Sequence, residues 1–117
     1  KNIYTSTYIN SKKNYDKLVI LIDKILSKFK ISLNTVNRIY VNRGPGSYAG
    51  IRNSLSIVKA IHLSKKIDYY SFSYKDFLDI KYKYIPLNIF DKIYNFKKIP
   101  KLCDKFNIKK NLIKPLY

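Results

Sequence analysis

A chain of 117 residues has room for one domain with a core of modest size and for no second lobe of comparable size. Lys and Arg outnumber Asp and Glu by 24 to 7, a net charge of +17, and the lone Cys103 excludes an internal disulfide and a cysteine-rich metal site. No apolar run reaches the roughly 18 residues of a membrane span, and Lys1 to Lys12 has no apolar signal core, so a soluble cytoplasmic protein with no membrane contact is expected.

In chain order, Ile3 to Ile9 alternates Ile, Thr, Thr and Ile against Tyr, Ser and Tyr, which predicts a strand with two usable faces. From Asn14 to Lys30, Leu18, Leu21, Ile22, Ile25, Leu26 and Phe29 recur at helical spacing and define one apolar stripe. Ser32 to Val36 reads as a short helical turn and Arg38 to Asn42 as a buried strand. Gly50 to Lys65 is the second helix and Ile67 to Ser73 the next strand, with Ser73 as N-cap of a helix over Tyr74 to Asp79. Pro86, Pro100 and Pro115 divide the tail into short pieces, of which Asn88 to Phe96 and Lys101 to Phe106 suit helices.

The chain has three glycines, and all of them lie in Gly44-Pro45-Gly46-Ser47-Tyr48-Ala49-Gly50, between a predicted strand and a predicted helix. Such concentration marks the one turn with demanding geometry. A Walker A loop is excluded, because five residues separate Gly44 from Gly50 and no lysine follows to grip a phosphate. The dinucleotide fingerprint G-x-G-x-x-G/A is matched by Gly44, Gly46 and Ala49 in the required strand-to-helix context. Against it, the acidic residue due about twenty positions on has only Asp68 as a candidate, at the opening of the next strand. Pro45 also removes a backbone donor.

Gly44-Pro45-Gly46-Ser47-Tyr48-Ala49-Gly50-Ile51-Arg52 resembles the Gly-Pro-Gly-Ser-Phe-Thr-Gly-Leu-Arg signature of the bacterial TsaB family, tRNA threonylcarbamoyladenosine biosynthesis proteins with a Gcp-like domain. The order of helices and strands over residues 3 to 78 agrees with that family. Tyr48 and Ala49 depart from its Phe and Thr, and Asn14-Tyr15 replaces the histidine-serine pair that opens its first helix. The resemblance implies an α/β fold, an actin-like ATPase (ribonuclease H-like) lobe. It also implies that two strands preceding Ile3 and most of the second lobe are missing. Absence of any methionine fits an upstream segment outside this sequence. Residues 1–79 then form a partial N-terminal lobe, and residues 80–117 a reduced second-lobe remnant or tail.

By the same resemblance, the chain is a non-catalytic subunit supporting TsaD in threonylcarbamoyladenosine modification of tRNAs that read codons starting with A. Its implied partners are a TsaD-like catalytic paralogue, a TsaE-like ATPase and, indirectly through the complex, tRNA. The residues themselves agree with non-catalysis: no carboxylate pair, metal cluster or nucleophile-base pair can be assembled around the loop, and no cofactor or metal is expected. Gly44, Pro45, Gly46, Ser47, Gly50 and Arg52 read as a structural turn that sets the helix angle. The lone His62 falls on the apolar stripe Ile51, Leu55, Val58 of the second helix and reads as a packed, satisfied histidine rather than a catalytic base. That helix also carries Ile57, Ala60 and Ile61 on a different side, and a helix apolar on two sides must be covered twice. Either the sheet and the first helix cover it, or a partner does. The partner reading selects Ile20, Ser54, Ile57 and Ile61.

Two other classes remain open. The charge is spread along the chain, nearly all lysine, and accompanies abundant Ile, Tyr and Asn, as AT-rich codon drift produces. Lysines interleaved with aromatic residues over Lys75 to Tyr84 also suit a small basic RNA-binding module. A glycine-loop nucleotide-binding protein is the third class.

Overall fold

The structure is a computed structural model that describes residues 18–45, 47–77 and 96–116. The predicted strand over Ile3 to Ile9, all but the last residue of the predicted helix over Asn88 to Phe96 and the tyrosine-rich stretch beyond Phe77 lie outside the described residues. Helix α1, Leu18–Lys28, leads through a 3-10 turn, Leu33–Thr35, into strand β1, Arg38–Asn42. Helix α2, Tyr48–Lys65, follows, then strand β2, Asp68–Phe72, and a 3-10 turn at Tyr74–Phe77. A 3-10 turn at Phe96–Lys98 runs into helix α3, Ile99–Lys105.

β1 and β2 pair in parallel with Arg38 opposite Asp68 and Asn42 opposite Phe72. Parallel strands need a crossover, and α2 supplies it, so β1-α2-β2 is one βαβ unit. Strand alternation sends Val41, Ile39 and Tyr69 to one face, where they pack on Ile51, Leu55 and Val58 of α2. It sends Tyr40, Tyr70 and Phe72 to the other, against Tyr74, Phe77, Ile99 and Cys103. The sheet is therefore covered on both faces. Tyr40 and Tyr70 stack at 5.2 Å across the register, and Phe72 stacks on Phe77 at 5.8 Å. β1 is less buried than a central strand: Arg38 is exposed and only Val41 is fully inside.

The described residues have glycine at no helix end, and left-handed non-glycine residues stand there instead. Lys30 ends α1 with φ 53° while the Ile31 amide reaches back to the Leu26 carbonyl at 3.0 Å. Lys66 ends α2 with φ 57° and donates to His62 O at 2.9 Å. Asn107 closes the turn after α3 with φ 55°, and the Ile108 amide reaches Cys103 O at 3.0 Å. These are the hydrogen bonds of glycine-type helix caps, made here at the steric cost of a Cβ.

The 3-10 turn after β2 is closed at its N-terminal end by a reciprocal cap. Ser73 Oγ accepts from the Lys75 amide at 3.2 Å, and Asp76 Oδ2 accepts from the Ser73 amide at 2.8 Å. The expected Ser73 cap is therefore present; the turn is described over Tyr74–Phe77, and the rest of the helix expected to Asp79 lies outside the described residues. Pro100 does not break the tail; it sits in the first turn of α3, where its missing N–H is no loss.

Residues 110 to 116 form a strap along the edge of the unit. Both main-chain groups of Tyr69 meet Asn111: its carbonyl accepts from the Asn111 amide at 2.7 Å, and its amide donates to Asn111 Oδ1 at 3.0 Å. Ser71 Oγ donates to Leu112 O, and the Leu116 amide donates to Arg43 O at 2.7 Å. The strap satisfies polar groups that an edge strand would otherwise show to solvent.

Candidate functional site

The glycine loop joins the C-terminal end of β1 to α2. Asn42 Oδ1 accepts from the Gly44 amide at 2.9 Å, an Asx turn that lifts the chain off the strand. Gly44 is buried with φ 116°, and the Gly44-Pro45 bond is cis. A Cβ built on Gly44 would stand 1.8 Å from the Leu116 carbonyl oxygen, so the strap closes over the position a side chain would fill. Ser47 is the N-cap of α2: its Oγ accepts from the Gly50 amide at 3.1 Å and its carbonyl from the Ile51 amide at 3.0 Å. α2 thus begins at Tyr48, two residues before the sequence boundary. Gly46 lies outside the described residues. Arg52 is exposed, its guanidinium 5.9 Å from the Tyr48 ring centroid.

Arg43, which sequence reasoning passed over, organises the floor of this loop. Its Nη2 and Nε donate to the two oxygens of Asp76 at 2.6 and 3.3 Å, and its Nη1 donates to Lys114 O at 2.8 Å. One guanidinium therefore ties the end of β1 to the turn after β2 and to the strap, with side chains only 16% and 20% exposed for Arg43 and Asp76. A separation of 33 residues gave no local signal for this pair. Arg43 and Asp76 line a concavity of about 290 Å³ together with Asn107, Lys109 and Lys114.

His62 has the packed role expected of it. Nδ1 lies 3.1 Å from Ile67 O, and the ring meets Tyr69 edge-on at 5.8 Å. Asp68 does open β2. It accepts from Asn111 Nδ2 at 3.0 Å and faces Lys110 Nζ at 3.4 Å, and the Asn111 bond, followed by Lys110, holds its carboxyl below the usual range. Cys103 is 1% exposed, and burial, with Asp104 and Asp76 adding to it, pushes its thiol up from 9.0 to about 12. It stays protonated at neutral pH and is no nucleophile. Among the described residues no group of three His, Cys, Asp or Glu side chains can hold a metal ion, and no helix is long and apolar enough to cross a membrane.

The four residues selected as a partner face are spread over two helices in contact, α1 and α2. Ile20 is 53% exposed beside Val19 at 59%, whereas Ile57, Ile61 and Ser54 are half-buried. Ser54 Oγ donates to Gly50 O at 2.7 Å within its own helix. Leu63, 71% exposed near the end of α2, is a further uncovered apolar side chain that the sequence reading did not select.

A family model described as TsaD, tRNA N6-adenosine threonylcarbamoyltransferase, matches residues 8–73, the stretch that holds α1, the glycine loop and the βαβ unit. The chain belongs to this family. Within it, the chain is similar to tRNA threonylcarbamoyladenosine biosynthesis proteins TsaB of Buchnera aphidicola. The protein from the Schizaphis graminum subspecies is 35% identical over 74 residues, which are 62% of this chain and 35% of that protein. The one from the Baizongia pistaciae subspecies is 41% identical over 46 residues, 39% of this chain and 21% of that protein. The chain spans about a third or less of the length of the curated relatives it matches. Among solved structures, YeaZ from Pseudomonas aeruginosa superposes with a TM-score of 0.50 at 21% identity, covering 53% of this chain and 29% of that one. That likeness supports the family's α/β fold.

Proposed function

We propose that this chain is a TsaB-like, non-catalytic subunit of the machinery that makes threonylcarbamoyladenosine in tRNA, acting in the cytoplasm beside a TsaD-like catalytic paralogue and a TsaE-like ATPase. The observation that carries the reading is the family match over residues 8–73, which coincides with the βαβ unit and its glycine turn. Residues 1–79 act as a partial N-terminal lobe, and residues 80–117 as the remnant of a second lobe, of which α3 and the strap pack on the first.

In this reading the glycine turn is structural. Its amides at Gly44, Gly50 and Ile51 are committed to Asn42 and Ser47, and Pro45 has none to offer. Gly44, Pro45, Gly46, Ser47, Gly50 and Arg52 thus aim α2, and the catalysis belongs to the partner. The partner docks over α1 and α2 through Ile20, Ser54, Ile57 and Ile61, where exposed Ile20 and Val19 extend the apolar surface.

The test is reconstitution. Full chain mixed with a TsaD-like protein, a TsaE-like protein, threonylcarbamoyl-adenylate and an unmodified tRNA should restore modification that the mixture without it lacks. An Ile57→Asp, Ile61→Asp double variant that stays folded should lose co-purification with the TsaD-like protein and modification together. Wild-type co-purification by that variant would remove the docking face, and modification that does not need the chain would remove the function.

A further inference from the structure

Although lysines are spread along the whole chain, two described stretches differ in how densely they carry positive charge. Residues 96–116 carry seven lysines against the single acid Asp104, whereas residues 47–77, a longer stretch, carry five cations against two acids. Four of the seven lie at helical spacing: Lys97, Lys98, Lys101 and Lys105 are all exposed and stand apart from Ile99 and Cys103, the buried positions of α3. Among the described residues none of these four has an ion-pair partner.

An aromatic side chain stands at the end of the stripe. Phe106 is 38% exposed, its ring tilted against Phe77 at 5.6 Å while Lys105 Nζ lies 5.6 Å from its ring centroid. Asn107, in the left-handed conformation, then turns the chain toward Lys109 and Lys114, which line the concavity beside Arg43. Lysines at one-turn spacing neutralise successive phosphates, and an exposed aromatic ring held by a buried neighbour offers a face to an unpaired base.

We infer that α3 and the turn after it form a direct RNA-binding surface, with Lys98, Lys101 and Lys105 on the phosphate backbone and Phe106 under an unpaired base. The inference deepens the proposed function, which has tRNA reached through the complex. It rests on that reading only for the choice of a tRNA as ligand.

The experiment is fluorescence anisotropy of the full chain with an unmodified tRNA transcript, read from about 50 to 200 mM salt. For a Lys98→Gln, Lys101→Gln, Lys105→Gln variant the slope of log K against log salt should fall by about 2 to 3, one counterion per lost contact. A control of equal charge change, Lys24→Gln, Lys28→Gln, Lys59→Gln, should lower it by less than about 1. Phe106→Ala should weaken binding about tenfold or more with the slope unchanged. A thermal melt checks each variant, and Lys101→Gln alone, with a slope change of about 0.7 to 0.9, serves if the triple variant melts early.

Equal losses in the stripe and control variants, or tRNA binding that none of them alters, would overturn the inference. Stripe-dependent binding to phosphatidylserine vesicles as tight as to tRNA would overturn it as well, by making the surface a general polyanion site. Failure of the functional reading shows elsewhere: a chain that binds tRNA through the stripe yet supports no modification keeps the surface and loses the proposed role.

Discussion

Replacing Gly44 by alanine tests the interlock between the glycine loop and the strap. The backbone at Gly44 has φ 116°, where an L side chain is strained, and the new Cβ would meet the Leu116 carbonyl oxygen at 1.8 Å and its carbon at 2.8 Å. The obstacle is main chain, so no rotamer change relieves it. Either the loop moves or the strap lifts, and lifting breaks the 2.7 Å bond from Leu116 to Arg43 O and strains the 2.8 Å bond from Arg43 to Lys114 O. Backbone strain of about 1 to 3 kcal/mol and one or two hydrogen bonds at about 1 kcal/mol each sum to roughly 2 to 5 kcal/mol. That is a large part of a stability of about 5 to 15 kcal/mol. Urea unfolding of the full chain should show the midpoint falling accordingly, and amide exchange at Asn111 and Leu116 should accelerate. An unchanged midpoint with both amides still protected would refute the interlock.

Lys66→Gly should raise stability by about 1 kcal/mol by relieving the left-handed lysine at the end of α2, seen as a higher thermal midpoint; a fall would contradict the cap geometry. Asp76→Ala should cost about 2 to 3 kcal/mol in urea unfolding, because it leaves the Arg43 fork and the Ser73 amide unpaired together. Cys103 should resist iodoacetamide at pH 8 until the chain unfolds. Because its folded thiol titrates near 12 rather than 9.0, the stability it contributes is complete below about pH 9 and is lost as pH rises toward 12. Asp68 behaves with the opposite sign: its carboxyl is held low, so its contribution is present above its ordinary 3.8 and lost as pH falls below it, with Asn111 amide exchange as the readout.

The βαβ unit was legible because two local signals agreed. Helical spacing of Ile51, Leu55 and Val58 marked the face of α2 that the sheet buries, and the glycines marked the turn before it. The 3-10 turn at Leu33–Thr35 was legible from Ser32, whose Oγ accepts from the Asn34 amide at 3.3 Å. The strap was not legible, since Asn111, Leu112 and Leu116 follow no period and their partners lie 41 or more residues away. Arg43 and Asp76 were passed over for the same reason: only the packed structure brings them together. The helix ends at Lys30 and Lys66 lacked their usual marker, because backbone hydrogen bonding holds residues there that propensity alone would not choose.

The resemblance of Gly44, Gly46 and Ala49 to a dinucleotide fingerprint leads to a last expectation. A phosphate-binding turn works by aiming free amides at an anion, supported by the positive end of the following helix. Here the Gly44 amide is spent on Asn42, the Gly50 and Ile51 amides on Ser47, and the open side of Gly44 faces the Leu116 carbonyl oxygen, an acceptor that repels anions. The Ser47 side chain takes the Gly50 amide, one of the first-turn donors that a phosphate would otherwise use. A nucleotide bound to the folded state with Kd of about 50 μM would add roughly 2.7 kcal/mol at about 5 mM ligand. For a domain of about 100 residues that raises the melting temperature by ten degrees or more. We expect ATP and NAD at that concentration to leave the midpoint of the full chain within about one degree. A rise of several degrees that Ser47→Ala leaves intact and Gly44→Ala abolishes would mean that the strap yields to a ligand, and that the turn binds nucleotide after all.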